Sequence, residues 1–526
     1  MRLDDWFLTA AERGNPATRL DRRHPDGAAW TTGNEVRPLI HGKTYFAELL
    51  SRVGALRAGD LLLFTDWRGD PDQWLADAGP EVSAAFGAAA RRGVCVRGLV
   101  WRSHLDRFQF SEQENRHLGE EIDAAGGQCL LDMRVRPGGS HHMKLVVLRH
   151  TGRPDQDVAF IGGIDLCHSR RDDAAHHGDP QRQPMAAVYG HRPPWHDIQL
   201  MIHGPAVGDL ETVFRERWED PAPLTRNPLA RIHDLLDRVP DDARRLPPQR
   251  PDPSPCGHHA VQVLRTYPYR RRGYWFAPAG ERSIARAYLK VLPRARSLIY
   301  LEDQYLWSTT VADVLARALA ANPALRLIAV LPRFPDQDGK FSMPPNLLGR
   351  AAALDALRAA GGDRVAVYSP ENEAGVPIYV HAKVCVIDDT WAIVGSDNFN
   401  LRSWTHDSEL SCAVIDEAGA GGEGLPTGAG PYPRALRIAL AREHIGAVAE
   451  NAEDPGPGTF AAFRRAALAL DAWHADGRRG PRPPGQLRAY PTPRLSAWTR
   501  TWASVPYRLI YDPDGRSPSW RRTGMF

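Results

Sequence analysis

The feature that most constrains the fold of this 526-residue chain is a weak internal repeat. Each half contains a short apolar strand, then an Ala- and Leu-rich helix, then a second strand. The segments are 61–65, 81–92 and 94–100 in the first half and 298–302, 311–321 and 325–331 in the second. Because strands that alternate with helices form layered structures, the repeat predicts an α/β sandwich in each half.

Composition along the chain predicts four parts. An N-terminal domain (1–218) and a C-terminal domain (260–473) each contain one copy of the repeat. A proline-rich segment (219–259) is predicted to link them, and a tail rich in Arg, Pro and Trp (474–526) follows the second domain.

Lysine is rare in this chain, which makes its positions informative. Only five of the 66 basic residues are lysines, so we expect lysine where a compact ammonium group is needed. Random placement of these lysines and the 20 histidines predicts about 0.2 His-x-Lys triplets, yet three occur. His142/Lys144 and His381/Lys383 each precede an apolar strand that ends in small residues. The third triplet, which starts at His41, leads into a helical pattern and predicts a turn.

Two His-x-Lys pairs in one site can supply all the groups that cleavage of a phosphodiester needs. Residues i and i+2 of an extended segment point to the same side, so each histidine projects together with its lysine. The lysine binds a phosphate oxygen, and one neutral imidazole attacks phosphorus to give a phosphohistidine. A second, protonated imidazole donates a proton to the leaving alkoxide and then activates water. We therefore predict one active site that both halves build.

The sequence around both motifs resembles a known superfamily. The stretch from His381 to Asp388, followed by a Gly-Ser-Asp-Asn run that ends at Asn398, is similar to the HxKxxxxD and GSxN signature of the phospholipase D superfamily. The first motif leads to a Gly-Gly-Ile-Asp-Leu-Cys run that contains Asp165 and resembles the eukaryotic-type catalytic core. A Pro-Trp-His-Asp run that ends at Asp197 extends the similarity.

The resemblance covers residues 42–445 and implies both a fold and roles. The implied fold has two α-β-α sandwich domains with mixed sheets, related by a pseudo-two-fold axis, with one active site at the interface. It implies that His142 is the nucleophile and His381 the general acid and base. A carboxylate orients each histidine in the family, and we assign Asp197 to His142 and Glu409 to His381. The resemblance adds Lys144, Lys383 and Asp388 to the catalytic set, and assigns Lys144, Lys383, Asn398 and Asp165 to phosphate binding.

The first motif departs from the family pattern at Arg149, where the family has aspartate. Asp155 or Asp157, in the following turn, could take the place of that aspartate. The histidines between 168 and 196 are irregularly spaced, so we predict an active-site loop there and no metal site. The chemistry is expected to require no cofactor, and a stimulation by calcium is left open.

The predicted function is hydrolysis of glycerophospholipids, such as phosphatidylcholine, to phosphatidic acid and a free head group, with transphosphatidylation as a side reaction. One alternative is a phosphodiesterase that acts on nucleic acid or another non-lipid phosphodiester. The net charge of only +3 argues against nucleic acid. The other alternative is a non-catalytic lipid-binding homologue.

The composition also predicts where the protein meets its substrate. No run approaches 18 apolar residues, so we expect peripheral contact with a membrane surface and no transmembrane segment. The N-terminus lacks the apolar core of a signal peptide, so we expect a cytoplasmic protein, unless a signal-less route exports it. We also expect a monomer.

Overall fold

The computed structural model describes residues 2–24, 27–103, 112–228, 231, 232, 234, 242–417, 431–446 and 456–526. The first half contains the strands β1 (Thr31–Ile40), β2 (Leu61–Asp66), β3 (Cys95–Trp101), β4 (Gln128–Asp132), β5 (Leu145–Arg149), β6 (Val158–Gly162), β7 (Trp195–His196) and β8 (Ile198–His203). Its helices are α1 (Ala10–Arg13), α2 (Gly42–Gly54), α3 (Val82–Arg91), α4 (Glu112–Ala124) and α5 (Ala206–Trp218).

The second half repeats this succession. Its strands are β9 (His259–Tyr267), β10 (Glu281–Arg282), β11 (Leu298–Glu302), β12 (Arg326–Val330), β13 (Val365–Pro370), β14 (Tyr379–Val380), β15 (Val384–Ile387), β16 (Trp391–Gly395), β17 (Glu409–Asp416) and β18 (Leu487–Ala489). Its helices are α6 (Ser283–Val291), α7 (Thr309–Ala321), α8 (Met343–Gly361), α9 (Leu401–Thr405), α10 (Tyr432–Ile445), α11 (Pro457–Ala475), α12 (Ala497–Pro506) and α13 (Pro518–Thr523).

The order of the strands confirms the repeat. The order β4-β3-β2-β5-β6-β8-β1 in the first half recurs as β13-β12-β11-β15-β16-β17-β9 in the second. In each copy the first two pairs are parallel and the other four are antiparallel, as expected of a mixed sheet. Antiparallel pairing of β1 with β9 joins the two copies into one continuous sheet.

Both faces of this sheet are buried, because alternate residues of each strand enter different cores. In β2, Leu61 and Leu63 contribute to a core that both halves share, together with α5, α10 and α11. Leu62 and Phe64 enter a separate core beneath α2, α3 and α4. In the second half, α6, α7 and α8 cover the corresponding outer face. Each half is therefore an α-β-α sandwich, as the sequence predicts.

The chain termini lie against the second half. Near the N-terminus, Arg13 Nη1 lies 3.0 Å from Glu281 Oε1. The tail adds β18 to the edge of the second-half sheet, antiparallel to β13. The three boundaries between the four parts stay predictions, and part of the proposed linker, including 235–241, lies outside the described residues.

Arg149, the departure from the family motif, ends β5 in a fully buried cluster of charges. Its Nε lies 2.8 Å from Asp157 Oδ2, its Nη1 lies 2.6 Å from Glu211 Oε2, and its Nη2 donates to the carbonyl of Pro251. Asp157 therefore neutralises this arginine and does not replace the motif aspartate. Since Lys144 immediately precedes the other end of β5, the substitution changes the scaffold and leaves the motif lysine in place.

We expect Arg149→Met to lower the free energy of unfolding by about 3–5 kcal/mol, because buried Asp157 loses its arginine and buried Glu211 keeps only Arg215. Urea denaturation followed by circular dichroism measures this change. The exposed Arg57 serves as the matched control, and Arg57→Met should change the free energy of unfolding by less than about 0.5 kcal/mol. Equal effects of the two substitutions would contradict a structural role for the buried cluster.

Candidate active site

The two His-x-Lys motifs lie in the segments that lead into β5 and β15, and each segment hydrogen-bonds to the other half. The backbone N–H of His142 donates to the carbonyl of Ser408 over 2.9 Å. The backbone N–H of His381 donates to the carbonyl of His196 over 2.8 Å, where β14 pairs in parallel with β7. The two contacts are equivalent under the internal repeat, so both motifs meet at one interface.

The carboxylate that orients each histidine also comes from the other half. His142 Nδ1 lies 2.9 Å from Glu409 Oε2, and His381 Nδ1 lies 2.7 Å from Asp197 Oδ2. The pairing predicted from the sequence, Asp197 with His142 and Glu409 with His381, is therefore wrong. The reason lies in the backbone hydrogen bonds between the halves. The N–H of each histidine donates to the carbonyl of the residue just before the other half's carboxylate, so the ring lies beside that carboxylate.

Burial keeps both imidazoles neutral. Burial lowers the pKa of His142 well below its ordinary value, and the positive charges of Lys144 and Lys383 lower it further. Burial and the charge of Lys383 have the same effect on the pKa of His381. When Nδ1–H points to the carboxylate, the Nε2 lone pair is free to act as a nucleophile. Since both lysines act electrostatically on both histidines, the four residues form one site.

The two lysines are buried and held by acceptors on opposite halves of the site. Lys144 Nζ lies 3.1 Å from Asp165 Oδ1 and donates to the carbonyl of His142. Lys383 Nζ donates to Gln304 Oε1 over 3.2 Å and to the carbonyl of the histidine in its own motif. Burial lowers the pKa of Lys383 to about 8, so its ammonium keeps its charge at neutral pH. The site thus offers two cations for phosphate oxygens.

Asn398 and Asp165 follow equivalent strands, but only one of them suits a phosphate. Asn398 is 3% exposed, and the N–H groups of its side-chain amide are donors that a phosphate oxygen can accept. Burial alone would raise the pKa of Asp165, but Lys144 and Arg170 lower it. An ionised carboxylate only accepts hydrogen bonds, so it cannot bind a phosphate oxygen directly. The assignment of Asp165 to phosphate binding is corrected: this residue positions Lys144.

Asp388, the motif aspartate, lies outside the site. It follows β15 at the end remote from Lys383, and its carboxylate accepts the backbone N–H groups of Arg296, Ser297 and Leu298 over 2.6–2.9 Å. Its place in the catalytic set is therefore corrected to a structural one. The three bonds anchor the start of β11 to the end of β15.

In the first half the equivalent strands are β2 and β5, and the carboxylate that connects them belongs to β2's side of the pair. Asp60, which precedes β2, accepts the backbone N–H of Thr151 over 2.6 Å, just after β5. The carboxylate therefore stands on the β2 side, and a motif aspartate after β5 is not needed. This arrangement explains how Arg149 can occupy the motif position.

Several residues at the site were not identified from the sequence. Trp67 packs edge-on against His142 with ring centroids 6.1 Å apart, and Trp195 packs against His381 at 5.0 Å. The Arg170 guanidinium lies 3.9 Å from the centre of the Trp195 ring. Trp67 and Gln304, a ligand of the second lysine, follow the carboxyl ends of β2 and β11, positions that commonly face a site in α/β proteins. This position at the strand ends was the signal in the sequence from which these two residues could have been predicted.

The fold and the site together define a duplicated α/β protein with one composite site, in which histidines, carboxylates and lysines from both halves converge. A family model described as "Phospholipase D" matches residues 123–312 and 366–492, which is more than half of the chain. A second, described as "Cardiolipin synthase, PLD-like domain", matches residues 288–420. The chain belongs to the phospholipase D family.

Curated relatives include plant and yeast proteins. The chain is 26% identical over 483 residues to phospholipase D alpha 1 of Cynara cardunculus, covering 70% of this chain and 58% of the relative. It is 25% identical over 502 residues to phospholipase D1 of Saccharomyces cerevisiae, covering 78% of this chain and 28% of the relative. The chain therefore spans little more than half of the length of the plant relative and less of the yeast one.

Solved structures with a similar arrangement are more distant. A phosphatidylserine synthase of Haemophilus influenzae superposes with a TM-score of 0.47 at 11% identity, covering 73% of this chain and 83% of that one. A polyphosphate kinase of Porphyromonas gingivalis has a TM-score of 0.39 at 13% identity, covering 87% of this chain and 58% of that one.

The crossed pairing predicts which histidine responds to each carboxylate substitution. We expect Asp197→Asn to shift the imidazole resonances of His381 and Glu409→Gln to shift those of His142, because each substitution replaces the carboxylate oxygen that faces Nδ1 of that ring. Imidazole spectra of histidine-labelled protein measure this, with His142→Gln and His381→Gln for assignment. An effect of Asp197→Asn on His142 alone would restore the uncrossed pairing.

Proposed function

We propose that this chain is a phospholipase D, which hydrolyses glycerophospholipids to phosphatidic acid and a free head group through a phosphohistidine. The observation that carries the proposal is the pair of split His–carboxylate dyads, with two lysines, in one buried site. Membership of the phospholipase D family, and relatives that bear that name, support a lipid substrate.

In the proposed cycle the two dyads differ by one proton. The neutral imidazole of His142 attacks phosphorus with its Nε2 lone pair, and the bond from phosphorus to the head-group oxygen breaks. That oxygen takes the proton from Nε2 of His381, whose dyad also holds a second proton between Nδ1 and Asp197. Burial raises the pKa of Asp197 and raises that of Glu409 to about 8, so either carboxylate can keep such a proton, and the choice of His381 as the acid follows the family resemblance. His142 is the more accessible of the two, with 14% of its side chain exposed against 6% for His381.

The second step reverses the proton transfer. His381 takes a proton from water, the resulting hydroxide attacks the phosphohistidine, and the bond from phosphorus to Nε2 of His142 breaks to release phosphatidic acid. A primary alcohol in place of water gives the phosphatidyl alcohol. The side chains supply the nucleophile, the acid and base, and the cationic clamp, so we propose that this chemistry requires no metal ion or cofactor. A cytoplasmic location and a monomeric state stay predictions.

We expect His142→Ala and His381→Ala each to lower turnover by about 10⁴-fold or more, since the cycle needs both imidazoles. The measurement uses purified protein, mixed phospholipid vesicles and a primary alcohol, with phosphatidic acid and phosphatidyl alcohol quantified by mass spectrometry. His177→Ala, an exposed histidine of the first half, is the matched control and should leave both products unchanged.

The outcomes separate the alternatives. Both products from the parent protein, and neither from the two variants, would support the proposal. Near-normal turnover in either variant would exclude a site that needs both dyads. Folded parent protein that binds vesicles without turnover would favour a non-catalytic lipid-binding homologue, and cleavage of a nucleic acid alone would favour the other phosphodiesterase.

We further propose that an apolar surface near the C-terminus makes the peripheral contact with the membrane. Among the described residues, none of the helices has the length and apolar character that a membrane crossing requires. Large apolar side chains nevertheless stand exposed on α12, on the turn after it and before α8. They are Phe341 (82% exposed), Trp498 (76%), Leu509 (71%), Ile510 (61%) and Val505 (59%). Such a patch on a protein surface is typical of an interaction site.

The chemistry around this surface fits a phospholipid bilayer. Tryptophan favours the interface between the head groups and the acyl chains, and the arginines in the same stretch suit anionic lipids. These arginines, all exposed, are Arg494, Arg500 and Arg508. Arg402 Nη2 donates to the carbonyl of Ile510 over 2.8 Å and Arg402 Nη1 pairs with Asp407, two residues before Glu409. Through Arg402 the surface is thereby connected to the segment that carries Glu409.

Replacing Trp498 and Leu509 together by serine should weaken binding to vesicles by about 10- to 100-fold, because two apolar side chains no longer enter the bilayer. Cosedimentation with vesicles measures the binding. Turnover of a short-chain monomeric phospholipid should stay unchanged. Leu468→Ser, which removes another exposed leucine (57%) on α11, is the control. Equal binding of the double variant and the parent would refute this surface.

A further inference from the structure

Outside the catalytic dyads, three buried histidines and one partly buried glutamate from distant parts of the chain converge on one point. They are His41 (4% exposed), His176 (1%) and His196 (0%) of the first half, with Glu443 of α10 from the second. One potential ligand atom of each lies within 4.8 Å of those of the other three. We propose that this cluster is a tetrahedral zinc site that fastens the two halves of the protein together.

The hydrogen bonds of two of the histidines fix where their protons lie. His176 Nδ1 faces the carbonyl of Trp195 at 3.2 Å, and a carbonyl only accepts, so Nδ1 carries the proton. His196 Nε2 faces Glu302 Oε2 at 2.7 Å, so Nε2 carries the proton. The other nitrogen of each ring, a lone pair in the neutral form, lies 2.9 Å from Glu443 Oε1.

Lone pairs that face a carboxylate oxygen repel it unless a cation lies among them. His41 Nε2 adds a third nitrogen, 2.9 Å from Glu443 Oε2. Zinc bound by three imidazoles and one carboxylate at about 2.0 Å places its ligand atoms about 3.3 Å apart. Here the three distances from histidine nitrogen to Glu443 oxygen are 2.9 Å, and all the ligand atoms lie within 4.8 Å of one another. Extra protons on the histidines are the rival occupant, since two protons carry the same charge as one Zn²⁺, and metal analysis separates the two.

The groups around two of the three histidines match those that surround bound zinc in proteins, whereas Nδ1 of His41 is buried without a hydrogen-bond partner among the described residues. A zinc-bound histidine normally donates its second N–H to a carboxylate or a backbone carbonyl, as His196 does to Glu302 and His176 to Trp195. Glu302 is itself held by His444 Nε2 at 2.9 Å. His41 is a non-glycine residue with φ of 67°, a strained conformation that directs its ring into the cluster.

Four protein ligands leave no open position on the metal, so the proposed site is structural and takes no part in the reaction. The metal would affect the active site only by holding the backbone that carries Asp197 in place. The carbonyl of His196 accepts the backbone N–H of His381, and the next residue, Asp197, orients the imidazole of His381. A metal on His196 would therefore fix the strand that aligns one catalytic dyad.

The test measures metal content and does not depend on the proposed activity. Full-length protein from zinc-supplemented cultures, freed of loosely bound metal, is analysed by mass spectrometry of the elements. We expect about one zinc ion per chain in the parent and in His177→Gln, and less than about 0.1 in His176→Gln. His177 is the matched control, because it is adjacent in sequence and exposed.

A second measurement uses the parent protein alone, in case the variant does not fold. After chelator treatment, titration with Co²⁺ should give the strong visible absorption of a tetrahedral site, complete at about one equivalent, and Zn²⁺ should abolish it. Zinc retained by His176→Gln at the parent's level would overturn the proposal. A parent that neither holds zinc nor develops the Co²⁺ absorption would do so equally, and would assign the cluster to protons.

Discussion

The site depends on a reciprocal exchange between the two halves of the chain. Each imidazole is aligned by a carboxylate from the opposite half, and the backbone bond beside it also crosses the interface. Because these charge-assisted bonds are buried, they are strong when both partners are present and costly to leave half-made. The β1–β9 junction fixes the relative position of the sheets, so the alignment of both dyads rests on it.

The duplicated scaffold carries unequal chemistry. Asp165 after β6 and Asn398 after β16 are equivalent in position, yet the first is a carboxylate bound to Lys144 and the second is an amide. In the second half, Asp388 after β15 bonds to the backbone at the start of β11. In the first half, Asp60 before β2 bonds to the backbone after β5, so the equivalent strands are connected by a carboxylate on the other strand. The fold tolerates such changes as long as the strand ends stay connected.

The sequence predicts the repeat well because its strands are short apolar runs, buried on both faces, between clear turn signals. The segment 298–302 coincides with β11, and the helix at 81–92 differs from α3 by one residue at each end. The partner of each histidine was predicted wrongly, because His142 and Glu409 are 267 residues apart and their contact depends on register across an interface. The cluster of His41, His176, His196 and Glu443 was not predicted for the same reason, since His41 and Glu443 are 402 residues apart in the sequence.

The split of each dyad across the chain also has a consequence for synthesis. A ribosome that has completed the first half has produced His142 and Lys144, but not the glutamate that orients the ring. Both dyads come into existence only after residue 409 has left the exit tunnel and the second sheet has joined the first. The nascent polypeptide therefore lacks a complete site until translation is nearly finished.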